Sequence, residues 1–396
     1  MTKQKGFYQT LSVLWMGHFL VDLMIGIWPV YKTMVGLDLA IAGLIAGCCA
    51  FAGEGLQLFF GHLSDRGYTK YLILVGLIAT LSSTCLAFTT SYFYLSILFL
   101  LTCIGSGAFH PSAVSVVSNL SKDRKGLLIA FFATGGALGM GLSQLVFSKS
   151  YALMEGNTLW LMIPTLLLLV FMILFYQLPV RSDAKQSHEK FSLEKVRKFF
   201  RSRELTYLYF NQIFNQSVFW GTIFLLPDIL LSKGYESWIS YGGGHFCLIA
   251  GGGAMMVPAG YLADRYSARS VLLVSLLIGG VAYYAFLMAP LMSPTLLLLN
   301  IFVIGAALGL ANPVGVALGN QLLPNEPGIA SGMLMGMVWC FAEFIGQGGG
   351  GLVSKMFVEN PATKAAAVVG IGLILSAYCA AQLPIRMESE EPEFAV

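Results

Sequence analysis

GHLSDRGYTK, Gly61 to Lys70, is a charged break between two long apolar runs, and GYLADRYSAR, Gly260 to Arg269, is its echo. Aligned on Asp65 and Asp264, the two copies lie 199 positions apart, about half the chain. A second echo supports the duplication: His110-Pro111 and Gly126 match Asn312-Pro313 and Gly328, all at a spacing of 202. The chain therefore reads as one membrane unit used twice, with short polar hairpins at equivalent places.

Outward from these hairpins the chain is apolar. Hydrophobic residues make up 57% and charged residues 11%, against about 25% charged in an average soluble domain, which excludes a water-soluble chain of this length. Apolar runs of about 20 residues match the roughly 30 Å of a hydrocarbon core. They predict twelve helices near 8–32, 39–61, 70–89, 92–119, 126–149, 158–178, 205–231, 237–261, 269–289, 294–321, 327–355 and 363–383. The expected fold class is an all-α membrane protein, two pseudo-symmetric bundles of six helices. Its expected parts are 1–178, a linker at 179–204, 205–385 and an acidic tail at 386–396. The 44 glycines, many in runs such as Gly348 to Gly351, let helix backbones approach closely in lipid. Seven cysteines fall inside apolar runs with no metal-ligand spacing, so they read as small core residues, and no metal site is expected.

The basic residues set the expected topology. Eighteen Lys and Arg lie in the amino terminus, the even-numbered connections and the tail, against five on the other side: Lys32, Lys149, Lys233, Lys355 and Lys364. By the positive-inside rule both termini face the cytoplasm, and the count leaves no Lys or Arg for the membrane interior. MTKQKGFYQT leads straight into a spanning run, so no cleaved leader is expected. The one long polar segment, Arg181 to Arg203, carries Phe191, Leu193, Val196, Phe199 and Phe200 roughly along one helical face. It reads as a linker that can lie along the membrane surface.

Acids inside the apolar runs are few: Asp22, Glu54, Glu343 and, near an outer end, Asp228. An ionised carboxylate there costs several kcal/mol unless paired, hydrated or protonated. With no deep cation to neutralise them, these acids are functional candidates, Glu343 and Glu54 for proton coupling beside Asp22, with Gln57 and Gln347 as substrate-binding candidates. His18 and Asp22, four apart, share one helix face and form a candidate proton site, imidazole titrating near neutrality. Glu54 is followed by Gln57, and Glu343 by Gln347, at helical spacing. Pro111 and Pro313 are expected to kink the fourth and tenth helices and to turn His110 and Asn312 toward a cavity. Asn211 and Asn215, with Trp220 on an adjoining face, suit a polar substrate. The simpler reading of each is packing, or exposure to water at a helix mouth.

The two hairpins follow the pattern G-x-L-(A/S)-D-R-x-x-x-(K/R), met at Gly61, Leu63, Ser64, Asp65, Arg66 and Lys70 and again at Gly260, Leu262, Ala263, Asp264, Arg265 and Arg269. With the duplication and the central linker, residues 8–385 resemble the major facilitator superfamily. GHFLVD (Gly17–Asp22), GSGAFHPSAV (Gly105–Val114) and LPNEPGIASGMLMG (Leu323–Gly336) resemble its fosmidomycin-resistance branch. That branch has an acid after His-Pro where this chain has Ser112. The family implies alternating access around a site at mid-membrane between the halves, with the first, fourth, seventh and tenth helices lining it. Gly61, Asp65, Arg66, Asp264 and Arg265 are then expected to gate. Asp65 is expected to cap the start of the eleventh helix near Ile329–Gly332 in one of the two states.

No phosphate-binding loop, Ser-His-Asp, HExxH or CxxC arrangement is present, so neither an enzyme nor a cofactor is expected. The reading is a proton-coupled secondary transporter, monomeric in a bacterial inner (plasma) membrane, whose partners are protons, lipid and a small polar or amphipathic substrate, not nucleic acid. Efflux is slightly favoured by the branch resemblance. The run Ala133 to Gln144 has the glycines of proton-driven exporters without their proline, which favours import of a nutrient or of a metal chelate such as a siderophore. A membrane sensor that has lost transport is the alternative of a different class.

Overall fold

A computed structural model describes residues 3–121, 124–176, 193–324 and 326–385, and every regular element among them is helical. The first half contains α1 (Gly6–Met34), α2 (Leu39–Leu63), α3 (Thr69–Thr80, extended by a 3₁₀ stretch to Phe88), α4 (Tyr92–Ser118), α5 (Gly126–Leu153) and α6 (Leu159–Leu174). The second contains α7 (Arg203–Ser232), α8 (Ile239–Ala263), α9 (Ala268–Met288), α10 (Pro294–Leu322), α11 (Ile329–Ser354) and α12 (Pro361–Ala381). Among the described residues ten stretches are long and apolar enough to cross a bilayer. One of them, Leu39–Phe88, reverses at Gly67 (φ 94°, ψ 4°) and so supplies two crossings, and the shorter α6 completes the twelve. Gly67 is the residue type that accepts that backbone without strain.

Helices form because backbone groups in lipid must be satisfied within the segment, and polar side chains close the ends. Asp38 accepts from the amides of Ala40 and Ile41, both at 3.0 Å, to start α2. Within each half the helices interlock: α1 against α5, α4 against α2 and α3, α7 against α11 and α12, α10 against α8 and α9. Apolar side chains of α3, α6, α9 and α12, among them Val75, Leu167, Leu277 and Ile374, remain exposed on the outside, a surface suited to lipid.

The halves meet along two seams, α2 with α11 and α5 with α8. The first is backbone against backbone: a Cβ on Gly43 would lie 2.9 Å from Gly351 Cα, and one on Gly47 3.2 Å from Gly348 Cα. Polar contacts across the halves gather toward the end that carries the 35–38, 233–238 and 355–360 connections. There Lys32 bonds Asp228, Thr33 Oγ1 donates to Asp228 Oδ1 at 3.0 Å, Lys355 Nζ lies 3.8 Å from Asp38, and Ser148 Oγ donates to the Tyr241 carbonyl at 3.0 Å. Among the described residues no hydrogen bond or ion pair joins the halves at the opposite end, where the Gly61–Lys70 hairpin lies. Among the described residues the latches between the halves thus lie at that one end.

Three expectations need correction. Lys32 does not sit in an outer connection. After a break at Gly26 and Ile27, α1 resumes at Trp28–Met34 and buries Lys32 to 1% exposure. Asp228 therefore has a cationic partner, and the ammonium also lies 4.6 Å from the Phe224 ring. Second, α4 runs unbroken through Pro111, whereas α10 is divided at Leu310, just before Asn312-Pro313. Third, the short helix Leu193–Phe199 buries Phe199 fully, its ring 6.1 Å from that of Tyr209. That part of the linker packs on the protein. Phe191 and the acidic tail lie outside the described residues.

Candidate functional site

Two polar centres occupy the interior. The first lies within the first half, where α1 and α4 cross. His18 and Asp22 share a face of α1, with His18 Nε2 3.4 Å from one carboxylate oxygen. His110 on α4 brings its Nε2 to 3.2 Å from the other oxygen. Each imidazole is fixed from behind. His18 Nδ1 donates to the Phe132 carbonyl at 2.9 Å, and its ring stacks on that of Phe132 with centroids 4.2 Å apart. His110 Nδ1 donates to the Ser106 carbonyl at 2.9 Å, with Ser106 Oγ at 3.0 Å. A carbonyl only accepts, so both Nδ1 atoms carry hydrogens, and both Nε2 atoms are turned on Asp22. On the α5 side Gly136 leaves room, since a Cβ there would overlap His18 and Asp22.

The second centre lies between the halves. A small cavity is lined by Gly26, Trp28 and Pro29 of α1, Ala50 and Glu54 of α2, Phe99 and Cys103 of α4, Trp220 and Ile223 of α7, and Glu343 and Gln347 of α11, with Ile25 and Met140. Its free space is about 30 Å³, room for a water or two. Each half contributes one carboxylate, and each carboxylate has one amide donor. Gln57 Nε2 donates to Glu54, and Gln347 Nε2 to Glu343 Oε2 at 2.8 Å. Among the described residues no Lys or Arg forms an ion pair with either acid. Glu343 is 7% exposed and immediately precedes a π-helical turn, Phe344–Gly349, while a second such turn, Gly332–Met337, lies just before its helix segment. Such turns recur at functional sites. Trp220 lines the same cavity, and its buried indole N–H has no partner among the described residues.

The remaining expected residues separate. Asn211 is fully buried and donates to the Ser376 carbonyl and hydroxyl at 2.9 and 2.8 Å, tying α7 to α12. Among the described residues Asn215 keeps a buried N–H₂ without a partner, and Asn312 a carbonyl oxygen without one. In the hairpins, Gly61 approaches Pro111, while Asp65 and Arg66 are exposed, and Asp65 makes no hydrogen bond or ion pair among the described residues. Its expected cap on α11 is absent in this conformation. Arg265 donates to the Tyr261 hydroxyl at 3.2 Å. The Asp264 side chain is outside the described residues.

Sequence reasoning missed His245 and Gln144. His245 Nε2 bonds the Met140 carbonyl at 2.8 Å across the α5–α8 seam, and neither its Nδ1 nor the Gln144 amide has a partner. The only signal was a histidine closing the run Gly242 to Gly244.

A profile described as Major Facilitator Superfamily matches residues 14–347. The benzoate transport protein of Acinetobacter baylyi is 23% identical over 317 residues, 69% of this chain and 67% of that one. An uncharacterised MFS-type transporter of Bacillus subtilis, YfnC, is 24% identical over 144 residues, 35% of each chain. Among solved structures, a bacterial homologue of the human lysosomal transporter Spinster, inward-facing and unoccupied, superposes with a TM-score of 0.77 at 14% identity, covering 96% of both chains. The nucleoside transporter NupG gives 0.75 at 16% identity, over 96% of this chain and 98% of its own. With twelve helices, two interlocked halves and a polar cavity between them already in view, the profile match settles the family: this chain is a membrane transporter of the Major Facilitator Superfamily.

Proposed function

We propose that the protein is a proton-coupled secondary transporter that moves a small polar or amphipathic molecule by alternating access, with 1–178 and 205–385 as the two rocking units and 179–204 as their tether. The observation that carries this reading is the pair Glu54 and Glu343, one from each half, lining one cavity with no basic partner among the described residues. Two carboxylates in one low-dielectric space repel when both are ionised, so taking up or releasing a proton changes how closely α2 and α11 can sit. Proton occupancy and the opening of the halves are thereby linked. Trp220, Gln347 and the unpartnered amides of Asn215 and Asn312 are the polar groups left to meet a substrate, while the hairpins around Asp65 and Asp264 gate.

We place the protein as a monomer in a bacterial inner membrane with both termini cytoplasmic, on the distribution of its basic residues. The likeness of Gly17–Asp22 and Gly105–Val114 to the fosmidomycin-resistance branch supports export. The run Ala133–Gln144, glycine-rich and without proline, supports import.

The test uses protein in liposomes holding a pH dye, challenged with a panel that begins with benzoate and a nucleoside, the cargoes named for its relatives. One compound should drive proton movement and accumulate against its gradient in the wild type. The Glu54→Gln, Glu343→Gln double variant should still bind that compound without accumulating it. Full accumulation by the double variant would overturn the coupling. Binding without movement of any compound would instead mark a sensor.

A further inference from the structure

We infer that His18, Asp22 and His110 bind a divalent first-row transition-metal ion inside the first half. Both Nδ1 atoms donate to carbonyls, so a neutral imidazole at either position points the Nε2 lone pair at the Asp22 carboxylate. Two lone pairs and an anion converging on one point repel unless a cation sits among them. No Lys or Arg of the described residues pairs with Asp22; its ion-pair partners are the two histidines.

Protons would leave each imidazole on its own Asp22 oxygen, whereas a metal ion draws all three groups onto one point. Their ligand atoms lie within 4.8 Å of one another, with the two nitrogen–oxygen spacings at 3.4 and 3.2 Å. Bonds of about 2.0–2.2 Å to nitrogen and oxygen at near-tetrahedral angles ask for ligand atoms roughly 3–4 Å apart, so a small closure completes the set. Imidazoles oriented by backbone carbonyls through the other ring nitrogen are the usual outer shell of a metal site. Imidazole with carboxylate suits zinc, cobalt, nickel or ferrous ions over calcium or magnesium.

The site has an open side. The Asp22 and His110 side chains keep 16% and 22% exposure, so the ion retains positions for water or for the donor atoms of a chelator. Gly136 closes the other side with no Cβ. The inference deepens the transport reading, on which it rests only for calling the ion cargo: a bare divalent ion, or one held in a small chelate. The sequence showed no ligand spacing because His110 stands 88 residues from Asp22 and only the crossing of α4 on α1 unites them.

The experiment titrates Co²⁺ and Zn²⁺ chlorides into purified, tag-free, full-length protein at neutral pH, by equilibrium dialysis and by the visible absorption of cobalt. One ion per chain should bind at micromolar concentration with a visible cobalt band. Asp22→Asn and His110→Gln should each weaken binding at least tenfold. Gly136→Ala, whose methyl would displace His18 and Asp22 from the positions they hold now, should also abolish the cobalt band. Monodispersity and circular dichroism confirm that each variant folds. No stoichiometric binding up to about 100 μM, or binding that survives Asp22→Asn and His110→Gln unchanged in folded protein, overturns the site. Because this readout uses no gradient, such a failure leaves the transport reading standing. Loss of that reading in liposomes would leave the cobalt band intact.

Discussion

Helices α1 and α7 open the two halves of a duplicated chain, yet they bury different chemistry. On α1 an acid and an imidazole face a second imidazole from α4. On α7 the buried groups are neutral amides, Asn211, Gln212, Asn215 and Gln216, all at or below 4% exposure. The same contrast appears at the duplicated proline sites, where His110 in one half is Asn312 in the other. An amide can be buried once it is hydrogen-bonded, while a charge also needs a counter-charge. At these equivalent positions the first half therefore presents titratable groups and the second a neutral hydrogen-bonding framework, while the second half's acids, Asp228 and Glu343, lie elsewhere along α7 and α11.

Charged contacts should be more fragile than the amide framework when a single partner is removed. Lys32→Met strands Asp228 and should cost about 3–5 kcal/mol, seen as a large fall in the temperature at which detergent-purified protein stays monodisperse. Adding Asp228→Leu should restore most of that, and failure to do so would mean that packing, not charge, sets the cost. Next in size, His110→Asn copies the second half's residue into the first and should reduce divalent-ion binding at least tenfold with the fold unchanged. The reverse change, Asn312→His, should create no ion site. Equal binding by either variant would erase the contrast between the halves.

On the neutral side, Asn211→Ala removes two hydrogen bonds to Ser376 and should cost about 1–3 kcal/mol. Ser376→Ala added to it should cost little more, because the two act as a unit. The smallest effect on stability is expected at Asp65. Asp65→Asn should leave the melting temperature nearly unchanged, since the carboxylate has no partner among the described residues in this conformation. It should still shift the balance of end-open states severalfold, through a helix-terminus contact of about 0.3–2 kcal/mol made in the other state. Unchanged labelling of cysteines placed at both ends would remove that role.

The fold was legible because its signals are linear: apolar runs of spanning length, a duplicated hairpin, prolines and glycines at matching offsets. The polar centres were legible only as fragments. One helical turn joins His18 to Asp22, and Glu54 and Glu343 stand out as lone acids in apolar runs. That His110 belongs with Asp22 depends on how α4 crosses α1, which no spacing encodes. Lys32 was misplaced for a related reason. A count by connections treats the end of an apolar run as the end of a helix, but α1 continues past its break at Gly26, and the partner that makes burial tolerable lies 196 residues away. Asn211 looked like a substrate ligand because side-chain direction on α7 is fixed by α12, the last helix of the chain.

The glycine seam between α2 and α11 bears on speed. Where Gly43 meets Gly351 and Gly47 meets Gly348, backbone lies on backbone, and the side chains to be withdrawn before the halves can turn begin a turn further on, at Phe51 against Phe341 and Phe344. The activation barrier to switching should then reside in those rings and in the few polar latches at the closed end, chiefly Lys32 with Asp228, while the glycine stretch serves as a bearing with little friction of its own. A single methyl at Gly351 would act as a brake: it would slow turnover at every substrate concentration while leaving affinity for the cargo almost untouched.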